Sequence, residues 1–346
     1  MIVDQARALA REWVINETPH LPGFLGAFFH GSINWLPDDA TLPATSDLDV
    51  VVVLDGTTPL PERTKFLYRR VMIDVSYLPW GQIATPEQVL GLSHLAGSLK
   101  APGIILDPSG KLVNLQASVS AGYARRAWVY RRCDYVIGKI SQHLRAQNES
   151  DPFHDQVTNW LFETGLTTHV LLVAGLKNPT VRKRYLAVRD LLADYGRSDF
   201  YGELLDLLGC TWMSQQIVES HLSRLAEAYD MASAVIKTPF VFAADISKIA
   251  RPNVIDGSQE LISRGSHREA IFWMVATYAR CMKVFFSDAP VELREAHATG
   301  FHLLMKDLGI TSYFDLQRRS HQVEAFLPRL WQVAESIIAS NPEIEN

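Results

Sequence analysis

A Gly-Ser pair at the end of one apolar run, followed by two aspartates at the start of the next, constrains this chain most. The apolar run 24–29 leads into Gly31-Ser32, and Asp47-Leu48-Asp49 opens the apolar run 50–54. Residues two apart on a β-strand share one face, and their Cα atoms lie roughly 6.5 Å apart. Two carboxylates this close suit Mg²⁺, which binds through one or two carboxylates together with phosphate oxygens. The pattern therefore predicts a phosphate-and-magnesium site on a strand.

A short sheet is predicted in the first third of the chain, after a helix over 2–17. Apolar runs bounded by Pro- and Gly-bearing loops predict strands at 24–30, 48–54, 70–78 and 103–106. The run 50–54 is continuously apolar, which is typical of a strand covered on both faces. A helix over 85–95 is predicted to begin at Thr85-Pro86-Glu87, where proline fits the first turn.

A third acid lies inside the predicted strand over 70–78. Asp74 is flanked by Ile73 and Val75, in an alternation that turns one face of the strand toward a site. A carboxylate within a strand is costly unless it is paired, hydrogen-bonded or metal-bound. Asp107-Pro108-Ser109-Gly110 is predicted to close the sheet as a turn. Because three carboxylates and a Gly-Ser turn converge, a purely structural explanation of these acids is disfavoured.

Beyond residue 111 the amphipathic periodicity predicts long helices. They are predicted near 112–146, 153–176, 180–195, 199–208, 213–236, 267–287, 291–308 and 313–339. Ser266-His267-Arg268-Glu269 predicts a capping box at one helix start. The segment 237–257 contains Pro239, Pro252 and Gly257 and is predicted to be an irregular connection.

The predicted fold class follows from this change of pattern. It is α+β, with a short mixed sheet and helices over residues 1–110, followed by a larger all-α domain over 111–346. A chain of 346 residues is long enough for two such domains. No internal repeat or low-complexity tract suggests another organisation.

Composition limits the partners and the compartment. A formal net charge of −5 argues against broad nucleic-acid binding, so the expected partner is a small molecule rather than a nucleic acid. No apolar stretch approaches the roughly 18 residues of a spanning helix, so no membrane partner is expected. Three scattered cysteines without CxxC spacing favour a reducing cytoplasm, and Asp4 and Arg7 make the N-terminus unlike a secretory signal. The oligomeric state is not predicted.

The residues Gly31, Ser32, Asp47, Asp49 and Asp74 resemble the signature of the nucleotidyltransferase superfamily, typified by DNA polymerase β and the aminoglycoside nucleotidyltransferases. That signature is an apolar residue, Gly-Ser or Gly-Gly, a spacer, and then Asp-x-Asp or Asp-x-Glu framed by apolar residues. A third acid comes from a later neighbouring strand. This chain matches each part of the pattern in order.

The resemblance implies a transfer reaction that uses two Mg²⁺ ions, with Mn²⁺ as a substitute, and ATP or another nucleoside triphosphate as co-substrate. Asp47 and Asp49 would bind the ions, and Gly31 and Ser32 would hold the β- and γ-phosphates. Asp74 would complete the metal site or accept the proton of the acceptor hydroxyl. The expected product carries AMP on a small hydroxylated molecule, and pyrophosphate leaves. An aminoglycoside-like antibiotic is the family-level expectation, which would make the enzyme a resistance factor.

The resemblance covers about residues 1–110, and the spacer 33–46 is slightly longer than the family pattern. The helical domain over 111–346 is expected to bind the acceptor. Glu163, after Trp160 and Phe162, is one candidate for an acceptor-side base. Other acids of the helical domain compete with it, namely Asp151, Asp155 and Glu203.

Two other functions remain open at this point. The first is a non-catalytic or regulatory nucleotide-binding protein on the same fold, which the presence of all three acids disfavours. The second treats Asp-x-Asp as the metal motif of a glycosyltransferase that uses a nucleotide sugar. Such a fold needs a longer α/β nucleotide domain before the motif, whereas only 46 residues precede Asp47.

Overall fold

Five strands of the N-terminal part form one mixed sheet. They are β1 (Phe24–His30), β2 (Leu48–Leu54), β3 (Thr64–Tyr68), β4 (Val71–Pro79) and β5 (Ile104–Leu106). Their order across the sheet is β3-β4-β2-β1-β5. β2 and β4 run parallel, and the other neighbours are antiparallel. Four of the strands lie where the apolar runs predict them, and the α+β class with helices after the sheet is confirmed.

The edge strand β3 was not predicted. It is only five residues long, and none of its residues is fully buried, so it lacks the continuous apolar run of β2. Short, partly charged edge strands are common because they discourage pairing with another chain. β3 and β4 form a hairpin whose turn places Arg69 and Arg70 at φ 45° and 74°.

One face of the sheet is covered by helix α1 (Val3–Glu17). Its buried residues Val3, Ala6, Ala10 and Val14 follow the helical repeat, so they form one apolar stripe. This stripe packs against the buried side chains that β1, β2 and β4 turn to the same face. The predicted helix over 2–17 is confirmed.

The opposite face is covered by α2 (Pro86–Leu90), α3 (Ser93–Ala96) and α4 (Lys111–Gly122). The single helix predicted over 85–95 is wrong, since α2 ends at Leu90 with Gly91 as its C-cap, and α3 begins at Ser93. The predicted start of α2 is confirmed. The Thr85 hydroxyl accepts the Gln88 N–H, and the Gln88 side chain accepts the Thr85 N–H, as a capping box does.

The structure, a computed structural model, describes residues 1–57 and 59–346 and divides into two units. The first unit comprises Met1–Tyr135, Leu176–Pro179 and Asn341–Asn346, and the second comprises Val136–Gly175 and Thr180–Ser340. The first unit contains the sheet, and the second is built of helices. The assignment of catalytic and acceptor-binding roles to residues 1–110 and 111–346 stays a prediction.

The remaining helices follow α4 along the chain. They are α5 (Arg126–Ala146), α6 (Phe153–Ala174), α7 (Arg184–Asp194), α8 (Ser198–Leu208), α9 (Gln215–Val235), α10 (Gly257–Ser263), α11 (His267–Asp288), α12 (Val291–Asp307) and α13 (Tyr313–Ser340). The apolar helix α6 packs against α7, α11 and α13 in the centre of the second unit. Among residues 1–57 and 59–346, no helix combines the length and the apolar content that crossing a membrane requires.

Two helical predictions need correction. The helix expected over 112–146 is interrupted between α4 and α5, where the Arg132 guanidinium donates to the Tyr123 carbonyl at 2.7 Å and the Arg126 N–H donates to the Glu345 carbonyl. The capping box at Ser266 is also absent, because the Ser266 side chain makes no cap hydrogen bond. Glu269 instead accepts hydrogen bonds from Arg189 and Tyr201.

Candidate metal and phosphate site

Four polar residues form one row across four neighbouring strands. Lys65 of β3 pairs with Asp74 of β4, Asp74 pairs with Asp49 of β2, and Asp49 pairs with His30 of β1. Paired residues of neighbouring strands direct their side chains to the same face of a sheet. This is the face that α2, α3 and α4 cover, because Val51, two residues after Asp49, belongs to that core. The row therefore lies at one end of this buried face.

Asp47 joins the row from the segment just before β2. One carboxylate oxygen from each of Asp47, Asp49 and Asp74 lies within 4.8 Å of the other two. The Asp74 side chain is 2 % exposed, whereas Asp47 and Asp49 are half-buried. The structure thus brings together the three carboxylates that the sequence places at two separate strands.

These carboxylates fit a hard divalent cation. Mg²⁺ takes oxygen ligands at about 2.1 Å in octahedral geometry, so opposite ligands lie about 4.2 Å apart. The Asp47, Asp49 and Asp74 oxygens lie within 4.8 Å of one another, a limit about 0.6 Å above this separation. A small contraction would let these side chains share an ion, and all three offer the donor atoms that Mg²⁺ or Mn²⁺ prefers.

Two cationic side chains, one on β3 and one just before it, contact the carboxylates. Lys65 Nζ lies 2.7 Å from Asp47 Oδ2 and 3.1 Å from Asp74 Oδ2, and its side chain is 4 % exposed. Arg63 Nε donates to Asp74 Oδ1 at 2.7 Å, and Arg63 Nη2 also contacts Asp74 Oδ2. Both oxygens of Asp74 are therefore already engaged by cations.

Neither Lys65 nor Arg63 was identified as a site residue from the sequence. Residues two apart in a strand share one face, so the spacing of Arg63 and Lys65 before Phe66 indicates that both side chains are directed to the same face. That signal can be used only once β3 is recognised and its pairing with β4 is known. The missed strand therefore accounts for the missed cations.

The negative charges that surround Asp49 change the pKa of its carboxyl group. Burial raises its pKa well above the usual range, and the neighbouring charges of Asp47 and Asp74 raise it further. Lys65 and Arg63 act in the opposite direction and lower the pKa of Asp49. The ionised form of Asp49 is thus unfavourable without an additional positive charge, which a bound divalent cation would supply.

Gly31 lies directly against Asp49. Its φ is +66°, in the left-handed region where a side chain is strained, and a Cβ atom here would lie less than 3.0 Å from Asp49 Oδ2. Glycine is thus required at this position both by the backbone conformation and by the close approach of the carboxylate. Ser32 follows as an exposed residue in the 3₁₀ helix Gly31–Trp35. The Gly-Ser turn therefore adjoins the carboxylates, as its predicted role requires.

The spacer between the two parts of the motif is fastened to the start of α1. The Val3 N–H donates to the Ala40 carbonyl at 2.9 Å, and the Asp4 N–H donates to the Asp38 carbonyl at 3.0 Å. Arg7 forms an ion pair with Asp38 and donates to the Leu36 carbonyl. These bonds satisfy N–H groups in the first helical turn and give the long spacer a defined path.

His30 extends the row on the side away from the cations. Its Nδ1 lies 2.7 Å from the Ser98 hydroxyl, and burial together with the His94 charge lowers its pKa to about 4. The folded protein therefore holds His30 neutral, whereas the unfolded chain protonates it near pH 6.5. The unfolded state binds more protons between these pH values, so stability is lost as the pH falls from about 6.5 to 4.

Replacement of His30 by glutamine is expected to reduce this acid sensitivity. The full shift corresponds to at most about 3 kcal/mol of unfolding free energy. Urea unfolding at pH 7 and at pH 4.5 measures the loss, which we expect to be smaller in the His30→Gln variant. The exposed His20 provides the control substitution, His20→Gln. Equal losses in His30→Gln and the wild type would contradict the assignment of His30 as a buried neutral side chain.

The acceptor-side candidates have local partners in the second unit. Glu163 is completely buried, and burial raises its pKa to about 7, while Gln147 Nε2 donates to its Oε1 at 2.9 Å. Asp155 is paired with Lys283, Asp151 accepts a hydrogen bond from Asn148, and Glu203 is paired with Arg329. The three competitors of Glu163 are thus engaged at the surface, and a role of Glu163 toward an acceptor stays a prediction.

Two comparisons with known proteins found no relative of this chain. No protein-family model matches the chain, and no curated protein matches it. The arrangement of Asp47, Asp49, Asp74 and the Gly31-Ser32 turn is thus the feature of this chain that bears on its function.

Proposed function

We propose that this chain is a Mg²⁺-dependent nucleotidyltransferase. It would move a nucleoside monophosphate, AMP from ATP, to a hydroxyl of a small molecule and release pyrophosphate. The observation that carries the proposal is the convergence of Asp47, Asp49 and Asp74 beside the left-handed Gly31. The parallel pairing of β2 with β4, which sets Asp49 next to Asp74, supports a nucleotidyltransferase layout of the first unit.

Each residue of the site would have a distinct role. The carboxylates of Asp47 and Asp49 would hold two Mg²⁺ ions, and Gly31 and Ser32 would hold the outer phosphates through a backbone N–H and a hydroxyl. Bound Mg²⁺ supplies positive charge that stabilises the attacking and leaving oxygens of the displacement. The acceptor oxygen would form a bond to the α-phosphorus and release its proton to solvent water, the bond to the bridging β-phosphate oxygen would break, and pyrophosphate would leave.

The contacts of Asp74 favour one of its two expected roles. A general base needs a free oxygen within hydrogen-bond reach of the proton that it accepts. Both Asp74 oxygens already accept from Arg63 or Lys65. We therefore assign Asp74 to the metal site, where it anchors the two cations and adds negative charge, rather than to proton transfer.

The alternative functions receive less support. A glycosyltransferase that used Asp-x-Asp as its metal motif would not require Asp74, which lies beside Asp47 and Asp49. A non-catalytic nucleotide-binding protein on the same fold would bind nucleotide together with metal but would release no pyrophosphate. The acceptor is expected to be a small hydroxylated molecule, and an aminoglycoside-like antibiotic is the first class to test.

Binding of nucleotide with metal is the first measurement. We expect MgATP or MgGTP to raise the Tm by several degrees, because a ligand at a hundred times its Kd stabilises a protein by about 2.7 kcal/mol. The same nucleotides with EDTA should give no comparable shift. No shift with either nucleotide in the presence of Mg²⁺ or Mn²⁺ would refute the proposal.

Turnover is then measured as pyrophosphate release across aminoglycosides, lincosamides and other hydroxylated metabolites. If the chain is an active enzyme, at least one acceptor should raise the rate of pyrophosphate release above the acceptor-free rate. Nucleotide binding without release for any acceptor would favour the non-catalytic alternative.

A further inference from the structure

The candidate metal site contains its own cations. When all three carboxylates of Asp47, Asp49 and Asp74 are ionised, they contribute three negative charges against the two positive charges of Lys65 and Arg63, so the site without metal has a net charge of −1. One divalent cation would change this value to +1, and two would change it to +3. A site with this balance does not attract two free metal ions strongly, because the second adds positive charge to a site that is already positive.

Lys65 lies between two carboxylates that would also coordinate a metal ion. Its ammonium contacts Asp47 Oδ2, from the segment just before β2, and Asp74 Oδ2 of β4. Arg63, from the segment just before β3, contacts both oxygens of Asp74. A divalent cation that bridged Asp47 and Asp74 would have to displace the Lys65 ammonium or bind against its charge.

Burial makes this competition strong. The side chains of Lys65 and Asp74 are 4 % and 2 % exposed, so water cannot replace the carboxylate contacts of the ammonium. Taking a charge out of water is costly unless an opposite charge compensates it. Once the carboxylates coordinate a metal ion, the Lys65 ammonium loses charge compensation from Asp47 and Asp74, and the anionic oxygens of a polyphosphate can replace it.

We propose that Lys65 acts as a built-in competitor of the metal ion, which makes binding of divalent cations depend on simultaneous binding of a polyphosphate. The proposal rests on the proposed function only in assigning divalent cations to Asp47, Asp49 and Asp74. Coupling of this kind is reciprocal, so metal must strengthen polyphosphate binding by the same factor. Lys65 is thereby a positioning and selectivity residue rather than a catalytic one.

Binding of Mn²⁺ alone tests the competition directly. The free Mn²⁺ signal in electron paramagnetic resonance gives the Kd for the wild type and for Lys65→Met, which keeps much of the apolar stem but removes the charge. We expect Lys65→Met to bind Mn²⁺ about tenfold more tightly or better, which corresponds to about 1.4 kcal/mol. The exposed Lys248 provides the matched control, and Lys248→Met should bind Mn²⁺ as the wild type does.

The coupling is measured with tripolyphosphate, which lacks a base and a sugar. Calorimetric titration with and without Mn²⁺ gives the factor by which the metal strengthens tripolyphosphate binding. We expect this factor to be large in the wild type and to fall about tenfold or more in Lys65→Met. A factor unchanged by the substitution would overturn the proposal.

A stability measurement shows whether the Lys65→Met variant has a folding defect. Without Lys65 the carboxylates repel one another, so we expect Lys65→Met to melt below the wild type in EDTA and to recover with Mn²⁺. Lys65→Gln, which retains a hydrogen-bond donor without the charge, should show the same pattern if Lys65→Met folds poorly.

The outcomes separate the two proposals. If the wild type and the Lys65 variants bind Mn²⁺ equally, the metal site stands and the competition is refuted. If neither the wild type nor any Lys65 variant binds Mn²⁺ even in the presence of tripolyphosphate, the proposed function fails together with this inference. Tighter Mn²⁺ binding in Lys65→Met and Lys65→Gln, with Lys248→Met unchanged, supports it.

Discussion

Replacement of Asp49 by asparagine is expected to stabilise the metal-free protein while removing its metal-dependent response to nucleotide. Burial and the charges of Asp47 and Asp74 raise the pKa of Asp49 in the folded state. The folded state therefore binds the Asp49 proton more tightly than the unfolded chain, and the ionised carboxylate costs stability at neutral pH. The neutral amide in the Asp49→Asn variant would not incur this cost, and it would also lack the charge that metal binding requires.

Opposite effects on stability and function make this substitution informative. We expect the Tm in EDTA to rise and the shift caused by MgATP to disappear. If transfer activity is found, it should fall at least about 100-fold, because a metal ion contributes several kcal/mol to stabilising the transition state. The exposed Asp39 of the same unit provides the control, and Asp39→Asn should change neither property.

The pH dependence of Asp49 has a defined sign. Because folding raises the pKa of Asp49, the contribution of Asp49 to the free energy of unfolding should decrease as the pH rises above about 4, toward the folded-state pKa. Asp49→Asn should lack this component in urea unfolding measured without metal. A variant that melts below the wild type in EDTA, or that keeps the MgATP shift, would contradict the assignment of Asp49.

Substitution of Gly31 by alanine is the second change with a large expected effect. A left-handed φ costs a side chain roughly 1–2 kcal/mol, and at Gly31 the new Cβ atom would also overlap the Asp49 carboxylate. Asp49 would have to move from its place beside Asp74. We therefore expect Gly31→Ala to lose stability and to lose the Tm shift with MgATP.

Gly196 provides a control for the backbone term. Its φ is +64°, and a Cβ atom there would have no heavy atom within 4 Å. Gly196→Ala should thus lose roughly the same 1–2 kcal/mol from the left-handed conformation, while the MgATP shift is retained. Thermal melting of both variants with and without MgATP measures the difference. Equal behaviour of Gly31→Ala and Gly196→Ala would mean that the contact between Gly31 and Asp49 has no functional role.

The sheet could be predicted from the sequence where burial is continuous. β2 is almost entirely buried, and β4 is apolar on both sides of Asp74, so hydrophobic periodicity locates both strands. β3 is an exposed edge strand, and its position becomes evident only through its hydrogen bonds to β4. Edge strands give weak sequence signals because their side chains need not be apolar.

The candidate site likewise contains residues that could be predicted from the sequence and residues that could not. The three aspartates and the Gly-Ser turn follow from motif spacing, since each lies at the end of an apolar run or within one. The partners Lys65 and Arg63 depend on strand register, which the sequence does not specify until β3 is placed. For Glu163, burial depends on how α13 and α11 pack against α6, and the contact with Gln147 depends on the path of the chain after α5; no local pattern encodes either.

The hairpin between β3 and β4 makes this arrangement sensitive to chain length. Lys65 lies opposite Asp74 and Phe66 lies opposite Ile73, so loss or gain of one residue in the turn at Arg69 and Arg70 would shift the pairing by one. Side chains alternate along a strand, so such a shift would send the Lys65 side chain to the α1 face of the sheet. An insertion or deletion far from the carboxylates would thereby change the cation balance around them, while each aspartate of the site kept its identity. Variation in the length of one surface turn thus offers evolution a route to retune metal dependence.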